Sequence, residues 1–292
     1  MNIISFDIEE WALAKTGNYG SKEQFPDYEL CLRKILDELD AKNVKGTFFC
    51  TGLMGADFPE IVTLIASHGH EIGCHSNAHT WMNKMSYQEA REDTKIAIDT
   101  LEQCIGEKVK SYRAPAFSIG NTNKWMFDVF AEFEIENDSS IFPAERDFGG
   151  FPEFSEQKPS LIIHNGISIK EFPIPITNIF GHEMAYSGGG YFRLFPLWFV
   201  RNKIKYRDYC ICYFHINDLL PESYKVMSKA EFESYFKEPG TLKNRYARYF
   251  KANIGKKNAL DKLFKLIGST DFINIQQADN TIDWSLMPVV NL

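Results

Sequence analysis

No apolar run in this chain reaches the roughly 18 residues needed to cross a bilayer, so the sequence offers no membrane-spanning segment. The opening stretch Met1-Asn2-Ile3-Ile4-Ser5-Phe6-Asp7 has no basic head, apolar core and small-residue cleavage site, and therefore does not read as a secretion signal. The cytoplasm is the compartment this predicts. No C-x-x-C pair is present, which removes the usual cysteine zinc frameworks. Cys31, Cys50, Cys74, Cys104, Cys210 and Cys212 are instead expected as buried, reduced thiols. Basic charge is in deficit, with a formal net charge of -7. That balance argues against a nucleic-acid partner, whose phosphates call for a basic footprint. Internal repeats, low-complexity tracts and a clean linker are also missing.

What is present is an ordinary globular composition, with 292 residues of which 44% are hydrophobic and 24% charged. A chain of that size and composition can bury a substantial core and should fold along its length. One segment departs from the acidic average. Lys243, Arg245, Arg248, Lys251, Lys256, Lys257, Lys262 and Lys265 lie close together. They read either as a solvated helix face or as a peripheral contact with an anionic membrane surface or a nucleotide-linked sugar.

Apolar β-rich runs alternate with stretches of helical period, the pattern of repeated strand–helix units and a mostly parallel sheet. Strands are predicted over residues 3–8, 44–51, 71–74, 111–113, 134–137, 161–164, 171–174 and 209–214, and helices over 28–40 and 58–67. Ser86 with Glu89 three residues on forms a capping-box signature for a longer helix that should end before Gly106. Residues 147–190 read as long loops and short strands over one face of the sheet, and 228–268 as two or three helices. The expected architecture is an α/β incomplete barrel over 1–225, with a helical extension over 226–292 packed on the same domain.

In strand–helix folds, chemistry gathers at the carboxyl edge of the sheet. The polar residues that end predicted strands are Asp7 with Glu9, His75 with His79, Arg113, Asp138 and His215. His75 and His79 sit four residues apart, a spacing that on one helical turn would aim two imidazoles at a single ion. Asp7 and Glu9 share one face of an extended chain, so one can bind the ion while the other works as a base. Glu9 is the expected third ligand, with Glu10 as the alternative. A bound divalent ion with an open position activates water and polarises a carbonyl, chemistry that hydrolyses amides or esters. Asp7 then serves as base, His215 as acid, and Arg113 as the guanidinium holding a catalytic carboxylate. Asp138 is expected to support an active-site group by hydrogen bonding.

These residues, in this order, resemble the polysaccharide deacetylases, the carbohydrate esterases that share a homology domain with the nodulation-factor deacetylase. Ser5-Phe6-Asp7 resembles the first family motif, and Thr47-Phe48-Phe49 the strand that follows. His75-Ser76-Asn77-Ala78-His79 is similar to the metal motif, Arg113-Ala114-Pro115 to the Arg-x-Pro motif, and Phe214-His215 to the late motif ending in the catalytic His. Gly188 to Arg193 and Asp138 to Pro143 look like segments of a branch associated with surface-polysaccharide or lipopolysaccharide gene sets. The resemblance implies a distorted seven-stranded (β/α)7-type barrel with zinc, or another divalent ion, at its mouth. It implies a substrate that is a sugar, or a nucleotide- or lipid-linked sugar, bearing an N-acetyl or O-acetyl group. The chain departs from the family where the first motif has two adjacent aspartates, since here Ile8 separates Asp7 from Glu9. A sugar-binding homologue with impaired turnover, and a metal-dependent hydrolase of a non-sugar amide, are the alternative readings. Oligomeric state is not legible.

Overall fold

The computed structural model describes residues 1–9, 25–146, 149–179, 181–221, 225–236 and 238–292. In chain order its first half runs β1 (Asn2–Ile8), α1 (Phe25–Ala41), β2 (Thr47–Cys50), α2 (Gly52–Asp57), α3 (Pro59–Ser67), β3 (Glu71–Cys74), α4 (Tyr87–Ile105), β4 (Ser111–Tyr112), α5 (Met126–Glu132) and β5 (Asn137–Asp138). The second half adds β6 (Ser160–His164), β7 (Ile167–Glu171), β8 (Ile176–Ile179), β9 (His182–Ala185), α6 (Gly189–Leu194), α7 (Leu197–Lys205), β10 (Cys210–His215) and α8 (Ile216–Leu219). The final segment holds α9 (Lys229–Phe236), α10 (Leu242–Asn253), α11 (Ala259–Ile267), α12 (Ile275–Thr281) and β11 (Val289–Asn291).

The main sheet has the order β10-β1-β2-β3-β4-β5-β7-β6-β11, parallel throughout except for the antiparallel β6–β7 pair. Among the described residues no pairing closes β10 onto β11, so the barrel is open. Its curl is visible in two separate apolar clusters. Ile4, Phe6, Phe48, Cys50, Cys212 and Phe214 pack outward against the helices. Ile3, Phe49, Ile211 and Tyr213, the alternate residues of the same strands, pack inside the curve together with Phe172 just past β7. Period-two alternation thus builds an interior as well as a helix-facing layer.

Several elements follow directly from local chemistry. Ser86 and Glu89 form the expected capping box of α4, and Gly106 ends that helix in the left-handed region at φ 74°. The strand expected at 171–174 lies instead at β7, as the second arm of a hairpin. Its turn is Asn165-Gly166, with φ of 49° and 80°, the pair that a tight hairpin favours and that pins the register. The strand expected over 134–137 is reduced to Asn137–Asp138, because Glu134 bends the chain with φ 57°. Of the two or three helices expected within 228–268, three are present among the described residues, α9, α10 and α11. Residues 226–292 are not purely helical, however: β11 pairs with β6, and Ile273 bridges Ile3. Gly188, at φ 123°, approaches Tyr213 so closely that a Cβ there would overlap the ring. No helix of the described residues is long and apolar enough to cross a membrane.

Candidate metal centre and active site

The inward-facing positions at the carboxyl edge collect the polar side chains. Asp7 pairs in register with His215 across β1 and β10, and Arg113 directly follows β4. Glu9, just past β1, places Oε2 2.9 Å from His75 Nε2 and 2.5 Å from His79 Nε2. One donor atom from each of the three residues lies within 4.8 Å of the others. His75 Nδ1 donates to the Arg113 carbonyl at 2.6 Å, which fixes the ring and turns its Nε2 toward the centre. Burial works against ionisation of Glu9, but the imidazoles of His79, His215 and His75 outweigh it and hold the carboxyl well below its usual range. A carboxylate wedged between two convergent imidazoles is a donor set that fits a divalent ion. Glu10, the alternative third ligand, lies outside the described residues.

The two histidines do not converge on a helical turn. Residues 75–80 form an irregular loop in which Ser76 and His79 take positive φ, 62° and 57°. Three contacts hold that shape. The backbone N–H groups of Gly52 and Leu53 donate to the carbonyls of Ser76 and Asn77, at 3.0 Å each. Asp93, from α4, accepts from the Asn77 N–H at 2.8 Å. Burial pushes the Asp93 carboxyl up to about 6, against the hydrogen bonds from Asn77 and Ala78.

Asp7 is held from one side by the buried Arg113, whose Nη1 donates to Asp7 Oδ1 at 2.8 Å. Arg113 Nη2 donates to Ser139 Oγ at 3.0 Å, and its guanidinium lies 4.2 Å from the centroid of the Phe49 ring. His215 Nε2 stands 3.6 Å from Asp7 and 3.4 Å from Glu9, and its Nδ1 stands 3.4 Å from Asp218 Oδ2. Burial opposes the imidazolium, yet Glu9, Asp218 and Asp7 together raise the His215 pKa well above its ordinary value. Asp218 in turn pairs with Arg193 at 3.1 Å. Sequence reasoning missed Asp93, Asp218 and the role of Arg193. The signal for Asp218 is its place three residues after His215 at the start of α8, where i and i+3 side chains meet.

Asp138 does not join this group. It occupies the register position of Tyr112, which packs toward the helices, whereas Ser139 takes the inward position beside Arg113. Its Oδ1 accepts from Ser140 Oγ, which itself accepts from the Ala114 N–H at 2.8 Å, so its support reaches the site only through the backbone. Burial lifts the Asp138 carboxyl to about 6 and the neighbouring Glu171 well above its usual range.

A cavity of about 330 Å³ opens over the centre, lined by Asp7, Glu9, His75, His79, Arg113 and His215. Tyr191 and Leu194 of α6 form one wall, with Tyr213 behind them; Arg146 forms another, and Phe236, Lys251 and Ile254 reach in from the C-terminal helices. Among the aromatics of this segment, Tyr191 lines the cavity and could stack on a sugar ring. Tyr186 and Phe192 are core residues.

Residues 25–134 match the sequence profile of a family described as polysaccharide deacetylase, and residues 139–279 match one described as a domain of unknown function (DUF3473). A peptidoglycan-N-acetylglucosamine deacetylase of Bacillus cereus is 36% identical over 125 residues, 40% of this chain and 45% of that protein. A bifunctional xylanase/deacetylase of Pseudobutyrivibrio xylanivorans is 32% identical over 107 residues, 36% of this chain and 18% of its own length. The chain thus spans less than half the length of these curated relatives. Among solved structures, a candidate polysaccharide deacetylase from Mycobacterium smegmatis superposes with a TM-score of 0.62 at 17% identity, over 100% of this chain and 93% of that one. That likeness is one of fold, an α/β barrel.

Proposed function

Because this chain carries a polysaccharide deacetylase domain, we propose that it is a metal-dependent hydrolase that removes the acetyl group from an N-acetylated sugar. The observation that carries the proposal is the convergence of Glu9, His75 and His79 donor atoms within 4.8 Å, with Asp7 and His215 flanking the same cavity. Glu9, His75 and His79 would hold the ion. When bound, a divalent ion such as zinc supplies Lewis acidity for the acetyl carbonyl and acidifies a water molecule beside it. Asp7, kept oriented by the Arg113 fork, takes the proton of the attacking water. His215, oriented by Asp218, gives a proton to the departing sugar nitrogen. Arg113 is therefore a positioning residue. Asp138 belongs to the layer behind it. Residues 226–292 act as an extension of the barrel domain over 1–225 that completes the cavity, and the setting is the synthesis of a bacterial surface polysaccharide in the cytoplasm.

Metal analysis combined with acetate release tests this. The protein should bind about one divalent ion per chain and lose activity to a chelator. His79→Ala should lose both metal and turnover, while Asp7→Asn should keep the metal and lose turnover. Full activity in either variant overturns the roles assigned.

A further inference from the structure

The cavity contains two cations that the proposed chemistry does not use. Arg146 lines it, and its Nη1 is buried without a hydrogen-bond acceptor among the described residues. Its guanidinium lies 4.4 Å from the Phe142 ring and 5.5 Å from the Phe117 ring, so the planar fork is braced by aromatic faces rather than by a carboxylate. Lys251, exposed near the end of α10, enters the same cavity from the C-terminal extension. The backbone at that point is fixed to the site, because Arg193 donates to the carbonyls of Lys251, at 3.3 Å, and Ile254, at 3.2 Å, while also pairing with Asp218.

A buried guanidinium nitrogen with no acceptor among the described residues costs free energy, so an acceptor entering the cavity beside Arg146 Nη1 is favoured. We infer that Arg146 and Lys251 form an oxyanion-recognising subsite, and that the substrate is an acetylated sugar bearing a phosphate or carboxylate group. Neutral N-acetyl oligosaccharides offer Arg146 only uncharged acceptors, which make weaker hydrogen bonds than an oxyanion does. An oxyanion would accept from the Arg146 fork and lie beside Lys251 in the same cavity, interactions strengthened by withdrawal from water. In a chain of net charge -7, two cations facing one cavity also attract a ligand that the rest of the surface repels. This inference rests on the deacetylase reading for its acetyl group, but not for its anion.

Calorimetry on the metal-loaded protein separates the two. The probes are N-acetylglucosamine, N-acetylglucosamine 1-phosphate and N-acetylmuramic acid, with acetate release from diacetylchitobiose followed in parallel. The inference expects at least one anionic sugar to bind about ten- to a hundredfold more tightly than the neutral one, the size of a charge-assisted hydrogen bond. Which anion wins identifies phosphate or carboxylate as the group recognised. Arg146→Gln and Lys251→Gln should each reduce that preference about tenfold, and Arg146→Lys should restore part of it. Lys251→Gln alters an exposed side chain, so it tests the idea even if an Arg146 variant fails to fold. Equal affinity for neutral and anionic sugars, or a preference that survives both substitutions, overturns the anion subsite whatever the acetate assay shows. A preserved preference without acetate release from any compound overturns the deacetylase reading and leaves the subsite standing.

Discussion

Asp7 and His215 face each other across adjacent strands, and each is backed by a charge on its far side, Arg113 for the acid and Asp218 for the imidazole. In the proposed reaction this divides the two proton-handling tasks: the guanidinium orients one carboxylate, while the second carboxylate favours a protonated ring. Asp218→Asn should leave KM little changed and lower kcat about a hundredfold, the penalty of a misplaced catalytic group. Steady-state kinetics on an acetamido sugar would show it, and an unchanged kcat would remove Asp218 from the proton-handling chain. Asp7, Glu9, His75, Arg113 and His215 were legible as strand-end residues, because strand alternation and the carboxyl-edge rule act on local sequence. Asp218 was hidden by its neutral-looking surroundings, and Arg193 by lying in a glycine-rich segment whose partner is distant in sequence.

The loop after β3 carries two of the three donors proposed to hold the metal, and helical spacing alone misjudges it. His75 and His79 converge because Ser76 and His79 turn the backbone left-handed, a shape that Gly52, Leu53 and Asp93 secure from α2 and α4. A side chain on Gly52 would strike Asn77 and Ala97, so that close approach requires glycine. Asp93→Ala leaves the Asn77 N–H without its partner, yet spares every donor atom of the centre. Its expected effect is a metal affinity weaker by about ten- to a hundredfold, the usual cost of losing a supporting contact. Competitive titration with a chromophoric chelator measures this, and wild-type affinity would show that the loop holds its shape unaided. The indirect route from Asp138 to the site, through Ser140 and the Ala114 N–H, has an element-level reason. Asp138 ends a strand as Arg113 does, but the register aligns it with Tyr112 and so sends it to the helix side of the sheet.

Across the molecule, the Asp138–Glu171 pair is a buried acid cluster in the layer behind the cavity, both residues fully shielded from solvent. Burial raises Asp138 to about 6 and Glu171 further, so both favour protonation in the folded state, whereas the unfolded chain releases these protons near the ordinary carboxylate values. Their contribution to stability is therefore complete below about pH 4 and declines as pH rises through about 6. Glu171→Gln removes one of the two acids and supplies an amide donor to Asp138. The variant should gain stability relative to the parent as pH rises from about 4 to 7, on the order of 1–3 kcal/mol. Denaturant unfolding across that range tests it, and a difference independent of pH would show that the pair ionises as it does in the unfolded chain.

Local sequence was enough to determine the alternation of strand and helix, the α4 capping box and the polar residues that end the strands around the candidate metal centre. Each depends on periodicity or on neighbours a few positions apart. Asn165-Gly166 is a local turn signal for the β6–β7 hairpin that the reading of the sequence passed over, placing the second strand too far along. Only the tertiary structure decided that β11 returns to the sheet, that Asp138 faces away from Arg113, and that Phe236, Lys251 and Ile254 close the cavity. Those outcomes depend on register and on contacts between distant segments, where burial energies and strand pairing are settled by the whole fold rather than by any short stretch of chain.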